Sequence, residues 1–192
     1  LVTGPGGRCA LSVTAPLGRL TGAQWRLVTR VAAEEGNQEL RVTPWRGLVV
    51  PGLPAHRAPQ LLAELAGAGF VTSADSAWHR AGACAGRPGC AKSLADVRAD
   101  AARCLSGGQA AGAATTATVT TALPVYWSGC ERRCGRPGGG RWVDVLATGD
   151  GYEVSLRGGG EPDGPVRRVA PGGLPEAVAA ARAATPAAAA TT

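Results

Sequence analysis

Cys84-Ala-Gly-Arg-Pro-Gly-Cys90 and Ser128-Gly-Cys130-Glu-Arg-Arg-Cys134 are the two stretches on which the reading of this 192-residue chain turns. Each sets a pair of cysteines in a glycine-containing loop, C-x5-C in the first and C-x3-C in the second, with thirty-nine residues between the pairs. Thiolates are the ligands that iron–sulfur clusters take, and four of them satisfy one [4Fe–4S] cube. The C-x3-C spacing puts two sulfurs on one face of a single turn, and the C-x5-C loop can wrap the opposite side. Glycine flanks let backbone N–H groups approach the cluster sulfides, where their partial positive charge offsets the cluster's negative charge.

Three other uses of these thiols compete. Structural zinc usually takes C-x2-4-C in both pairs, which the first spacer does not obey. Disulfides call for an oxidising compartment and a secretion signal, and the start Leu1-Val2-Thr3 lacks the charged and apolar regions of one. Four unrelated buried thiols are the plainest case, although Gly-rich loops are a poor place for core cysteines. Cys9, in a strand pattern, and Cys104, at the end of a helical pattern, read as packing residues rather than ligands.

Working outward from the second pair, Leu123-Pro-Val-Tyr-Trp127 is apolar and extended, and beyond the Gly138–Gly140 hinge Trp142–Leu146 and Tyr152–Leu156 flank Gly149-Asp-Gly151 as a hairpin. Between the pairs the sequence predicts a helix from Lys92 to Leu105, stopping at Ser106-Gly-Gly108, then an Ala/Thr-rich linker over 110–121 running into strand. Upstream, Cys9–Leu17 reads as a strand, and Thr21-Gly-Ala-Gln24 is a capping box opening a helix whose apolar positions Trp25, Leu27, Val28, Val31 and Ala32 keep helical spacing up to Gly36. Glu39–Thr43 and Leu48–Val50 are strands around a turn at Pro44-Trp45-Arg46, followed by a helix from Pro59 to Ala68 and an extended Phe70–Thr72. The organisation expected is α+β, with a strand–helix–strand–strand–helix unit over 1–72, a cysteine-bearing α/β unit over 76–157, and a Gly/Pro/Ala-rich, largely disordered tail over 158–192 in which one short helix fits at 174–184.

Composition narrows the class further. Apolar residues make up 45% and charged residues 18%, enough to bury a core, but aromatics are only 4%, so Ala, Val and Leu must supply it. Gly (29) and Pro (14) are abundant without any period, which excludes collagen. The net charge of +6 is almost wholly arginine, Lys92 being the one lysine, and the arginines are scattered rather than set in a stripe or a recognisable module. Nucleic acid is therefore not an expected partner. No apolar run approaches a membrane span, and thiols kept for ligation fit a reducing, cytoplasmic setting.

The pattern C-x5-C … S-G-C-x3-C, preceded by the strand motif Leu40-Arg-Val-Thr-Pro44, resembles the second half of nitrite and sulfite reductases. Residues 1–72 resemble their ferredoxin-like half-domain and 76–157 their iron–sulfur domain. Within that superfamily the two cysteine loops look closest to those of the precorrin-3B synthases, the oxygen-dependent tetrapyrrole hydroxylases of aerobic cobalamin biosynthesis. The resemblance implies that Cys84, Cys90, Cys130 and Cys134 ligate a [4Fe–4S] cluster, with Cys134 bridging to sirohaem iron if a haem is present; a mononuclear non-haem iron is the alternative oxygen-activating centre. It implies that Arg41 presents a positive charge to an anionic tetrapyrrole, substrate or cofactor, whose carboxylates an Arg fork suits. Trp45-Arg46 replaces the Asn-Gln common in reductases, and Arg132-Arg133 replaces a Pro-Asn type of spacer. Arg46 and Arg132 join Arg41 as candidate ligand-binding residues, while Arg133 is set either against a propionate or toward solvent. His56 and His79 read as loop residues. An external electron donor is implied. Family members have two ferredoxin-like halves, so a chain with one half and no Met reads as a C-terminal portion whose N-terminal half is missing. The competing expectations are a sirohaem sulfite or nitrite reductase, and a non-catalytic, zinc-stapled binding module.

Overall fold

The computed structural model describes residues 1–110 and 122–183. They form two units, Leu1–His79 and Arg80–Thr192, in a mixed α+β arrangement. The linker expected over 110–121 lies, but for its first residue, outside the described residues.

In the N-terminal unit, β1 (Val2–Thr3), β2 (Arg8–Thr14), β3 (Arg41–Val42) and β4 (Gly47–Pro54) form an antiparallel sheet in the order β1-β2-β4-β3. Helices α1 (Gly22–Glu34) and α2 (Ala58–Gly67) pack against it. Strand alternation decides what is buried: Cys9, Leu11 and Val13 of β2 face inward, opposite Leu53, Val50 and Leu48 of β4. These meet Val28 and Val31 of α1 and Leu61 and Leu65 of α2 in one cluster. The capping box is present, with the Gln24 N–H donating to Thr21 Oγ1 (3.1 Å) and the Thr21 N–H donating to Gln24 Oε1 (2.9 Å). Phe70–Thr72 contributes a single bridge, Val71 to Thr14.

The C-terminal unit has the sheet order β5-β6-β7-β8-β9. Its strands are β5 (Ala81–Ala83), β6 (Val125–Ser128), β7 (Arg141–Ala147), β8 (Tyr152–Gly158) and β9 (Arg167–Val169). The β5–β6 and β6–β7 pairs are parallel, while the β7–β8 hairpin and the β8–β9 pair are antiparallel. Helices α3 (Val97–Ala110) and α4 (Leu174–Ala183) pack against this sheet.

Two expectations change here. Residues 92–95 are loop rather than the first turn of α3, because carbonyls that a first turn would use are already committed: that of Ser93 accepts from Arg87 Nε at 2.7 Å, and that of Ala95 from the Arg87 N–H at 3.0 Å and Ser93 Oγ at 2.8 Å. The helix opens only after Asp96, whose Oδ1 accepts from the Ala99 N–H at 3.1 Å. The segment read as a largely disordered tail from 158 is, over its described part, built into the fold. β9 extends the sheet, and α4 buries Leu174, Ala177 and Val178 at helical spacing. Arg182 Nε and the Leu123 N–H then tie α4 to the entrance of β6, donating to the Leu123 and Arg182 carbonyls at 3.0 Å each.

Candidate functional site

Cys84 follows the last residue of β5, and Cys130 lies two residues past the end of β6. The two cysteine loops thus leave the carboxyl ends of adjacent parallel strands, the place where open sheets of this kind hold ligands. The ladder continues into the first loop, with the Cys84 N–H donating to the Trp127 carbonyl at 2.9 Å.

Gly129 joins the loops. Its N–H donates to Cys84 Sγ at 3.2 Å, and its carbonyl accepts from the Leu94 N–H at 2.8 Å. A side chain here would force Ser93 to shift, since a Cβ would lie 1.9 Å from Ser93 Oγ and 2.8 Å from Ser93 Cβ. Cys90 is held by a turn on each side: its N–H donates to the Gly86 carbonyl at 2.8 Å and its carbonyl accepts from the Ser93 N–H at 3.0 Å. Gly86, with φ +66°, supplies the left-handed backbone that closes the C-x5-C loop.

The second pair sits on the connection between β6 and β7. Parallel neighbours need a crossover of roughly a dozen residues, usually a helix; here residues 129–140 are that crossover, with no helix in them. The Arg133 N–H closes a turn onto the Cys130 carbonyl at 3.1 Å. Arg133 Nε donates to Oδ2 of the buried Asp144 at 2.8 Å, and the Tyr126 hydroxyl donates to the Cys134 carbonyl at 2.6 Å. Of the two arrangements open to Arg133, the structure overturns the solvent-facing one: its guanidinium pairs with Asp144.

Cys84, Cys90 and Cys130 are half-buried, Cys134 is exposed, and all four are free thiols. Among the described residues no three His, Cys, Asp or Glu side chains converge as a single metal ion requires. A cluster or an ion held by all four sulfurs would draw them together from these positions. The donor set also suits a cube: four soft ligands in two loops, one already accepting a backbone N–H, and a glycine cradle at their junction. Ser128 Oγ, fully buried beside Gly129, has no hydrogen-bond partner among the described residues and leaves a donor to be satisfied next to the cysteine loops.

The arginines fall in two places. Arg41 and Arg46 belong to the β3–β4 hairpin of the N-terminal unit. Arg41 is exposed and its Nε donates to Glu39 Oε1 at 2.6 Å, whereas Arg46 takes a left-handed φ of +67° and lays its stem against Gly18. Arg132 is in the C-terminal unit, exposed and in no ion pair among the described residues. With Lys92, Leu94, Cys130, Glu131 and Glu153 it lines an open groove of about 500 Å³. His56 and His79 lie on exposed turns. Cys9 is a core residue of the N-terminal unit, and burial on α3 pushes the Cys104 thiol up to about 11, where it is not a thiolate at neutral pH. Sequence reasoning missed Tyr126, Asp144 and Ser93. An Asp within an otherwise apolar strand, Trp142-Val-Asp-Val-Leu146, was the available signal for one of them.

Residues 3–68 match the family model of the nitrite/sulfite reductase ferredoxin-like half-domain. Among solved structures, the NirA protein of Mycobacterium tuberculosis is 22% identical over 90% of this chain and 34% of its own, with a TM-score of 0.69. Dissimilatory sulfite reductase I (DsrI) is 11% identical over 72% of this chain and 32% of its own, with a TM-score of 0.52. No curated protein matches the sequence. The chain spans about a third of the length of each of these two solved chains. No helix among the described residues is long and apolar enough to cross a membrane. The likeness is thus one of fold over most of the chain, and one of sequence, over residues 3–68, to the nitrite/sulfite reductase ferredoxin-like half-domain.

Proposed function

We propose that Cys84, Cys90, Cys130 and Cys134 hold a [4Fe–4S] cluster and that the chain is part of an iron–sulfur oxidoreductase of the nitrite/sulfite reductase kind that handles a tetrapyrrole. The observation that carries this reading is the junction at Gly129, where the loops bearing the two cysteine pairs meet and one thiol accepts a backbone N–H. A bound cube supplies one-electron transfer. The chain's own residues do the rest. Gly129 brings its backbone N–H to Cys84 Sγ, where its partial positive charge offsets the negative charge of a ligating sulfur. Ser93 and Leu94 lock the loops together, and Arg132, exposed beside Cys130, offers a forked donor to a carboxylate of the tetrapyrrole.

The finer form of the proposal is a precorrin-3B synthase-like hydroxylation of precorrin-3A, using O2 and an external reductant. Its support is the wording of the cysteine loops and the Trp45-Arg46 pair in place of the usual Asn-Gln. A sirohaem-dependent sulfite or nitrite reductase is the second reading, favoured by the fold shared with DsrI, which is a sulfite reductase. In either case the N-terminal half is a required partner.

Iron and acid-labile sulfide are measured after anaerobic reconstitution, with EPR of the dithionite-reduced sample and Cys134→Ser as control. About four irons and four sulfides per chain, with a signal the variant alters, are expected; zinc without sulfide sinks the redox reading. Titration with sirohaem then divides the two enzymes. A haem spectrum perturbed by the cluster favours the reductase, and a loaded cluster with no haem uptake favours the hydroxylase.

A further inference from the structure

We infer that Tyr126, Asp144 and Arg133 form a latch that sets the positions of Cys130 and Cys134 before any cluster arrives, an inference that rests on the reading of these thiols as cluster ligands. Tyr126 and Asp144 are direct register partners on the parallel strands β6 and β7, so both project from the same face of the sheet. The crossover that bears the second cysteine pair is pinned to that one rung at two successive residues. Tyr126, buried and set edge-on against Trp142 (centroids 6.3 Å apart, planes at 86°), donates its hydroxyl to the Cys134 carbonyl at 2.6 Å. Asp144 takes the Arg133 guanidinium at 2.8 Å.

The arrangement is mutual. Asp144 is 1% exposed, and its charge is compensated by Arg133 and by Arg157 Nε, the latter at 2.9 Å. A buried carboxylate deprived of a cationic partner is strongly disfavoured, so Asp144 holds Arg133 in place. Arg133 in turn adopts φ +48°, an uncommon conformation for a residue with a Cβ, which turns the chain between the two cysteines. Its neighbour Arg132 makes the contrast: it is exposed, forms no ion pair among the described residues and lines the groove beside Cys130. Of the two adjacent arginines, one fixes the loop and the other is left for contact with a ligand or partner. Setting thiol positions at folding lowers the ordering cost that cluster capture would otherwise carry.

The 192-residue chain is made as Tyr126→Phe and Arg133→Met, with Arg167→Met, at an exposed arginine of β9, as the matched control. In iron-free protein, iodoacetamide labelling is followed peptide by peptide, and the rate at Cys130 and Cys134 is divided by the rate at Cys84 and Cys90. In reconstituted protein, iron loss to a chelator is timed and the EPR signal recorded, with circular dichroism and melting as the check on folding. Both latch variants are expected to change the labelling ratio several-fold and to lose iron about five- to tenfold faster, roughly what one lost hydrogen bond commands. Arg167→Met is expected to match the parent. Should Arg133→Met fail to fold, Tyr126→Phe decides, since it deletes one hydroxyl and keeps the ring. Folded latch variants with the parent's labelling ratio and iron retention overturn the inference. A parent that takes up no iron or sulfide overturns the cluster reading instead, and the labelling ratio in iron-free protein still decides whether the latch positions the two thiols.

Discussion

In the N-terminal unit every ladder is antiparallel, and the buried residues are apolar throughout, from Leu11 on β2 to Leu65 on α2. In the C-terminal unit three strands run parallel, and the fully buried set includes Ser93, Asp100, Ser128, Asp144, Ser155 and Arg182; every buried polar or charged residue among the described ones is there. Buried polar groups are stabilising only when fully paired, so a unit that carries six of them beside an apolar core of its own has more than packing to organise. Their positions say what. Ser93, Ser128 and Asp144 lie in or directly beneath the cysteine loops, while Asp100 accepts from the Tyr152 hydroxyl and pairs with Arg103 on the helical side of the sheet. One unit is a packed scaffold, and the other holds its loops with hydrogen bonds and charge.

The largest expected effect tests whether the scaffold stands by itself. Leu11 is fully buried in the centre of the N-terminal core. Leu11→Ala should cost about 2–5 kcal/mol, the loss of transfer energy plus a cavity. Segment-resolved hydrogen exchange should register that loss in β2, β4, α1 and α2 and leave β6, β7 and β8 at their original protection. A matching fall in β6–β8 would mean that the two cores are coupled, and would break the comparison.

The same contrast explains what could be read from sequence. Where local pattern and tertiary structure agree, the reading was close. The Thr21–Gln24 box, the helical spacing of Val28 and Val31, and the Gly149-Asp-Gly151 hairpin all appear where expected. The misses are places where a partner distant in sequence makes the decision. Ala81-Gly-Ala83 has no strand propensity of its own and becomes β5 because β6 lies beside it. Arg167-Arg-Val169 is an edge strand formed only against β8. Residues 92–95 carry helical composition, but the Ser93 and Ala95 carbonyls are taken by Arg87 of the first cysteine loop and the Leu94 N–H by Gly129 of the second. At the candidate site the spacing marks out two cysteine loops, and the structure joins those loops at Gly129. Arg133 was not legible, because its partner Asp144 is on another strand and only the register of β6 with β7 brings the two together.

A smaller effect probes the junction of the loops. In Gly129→Ala the new methyl meets the Ser93 side chain, whose Oγ donates to the Ala95 carbonyl at 2.8 Å and which is 1% exposed. The loop cannot yield cheaply, and overpacking of this kind costs about 1–3 kcal/mol. Exchange should accelerate at the amides of Leu94 and residue 129, the first donating to the Gly129 carbonyl and the second to Cys84 Sγ. Adding Ser93→Gly should restore most of the protection by removing the obstructing atoms. If the double variant is no better than the single one, the close approach at Ser93 is not what requires a glycine there, and the loops are joined by some other constraint.

The smallest effect lies back in the scaffold, at its surface. Arg57 Nη2 donates to Glu35 Oε1 at 2.5 Å and Nε to Oε2 at 3.3 Å, joining the end of α1 to the start of α2. Hydrogen bonding from Arg57 holds the Glu35 carboxyl below its ordinary value, with burial opposing and the coulombic attraction of Arg57 adding to the effect. A carboxyl with a lowered folded-state pKa binds a proton more readily when unfolded, at about pH 4.3. Its contribution is therefore complete above that pH and declines as the pH falls toward the folded value. Solvent reaches this pair, so screening keeps the contribution small. Glu35→Gln should flatten that part of the acid limb of stability, seen as exchange protection of α1 and α2 between pH 5 and 3, and 1 M salt should flatten it in the parent to a similar degree. An acid limb unchanged by the substitution would assign the loss to other carboxylates and leave the scaffold, unlike the cysteine unit, without a charge pair that matters.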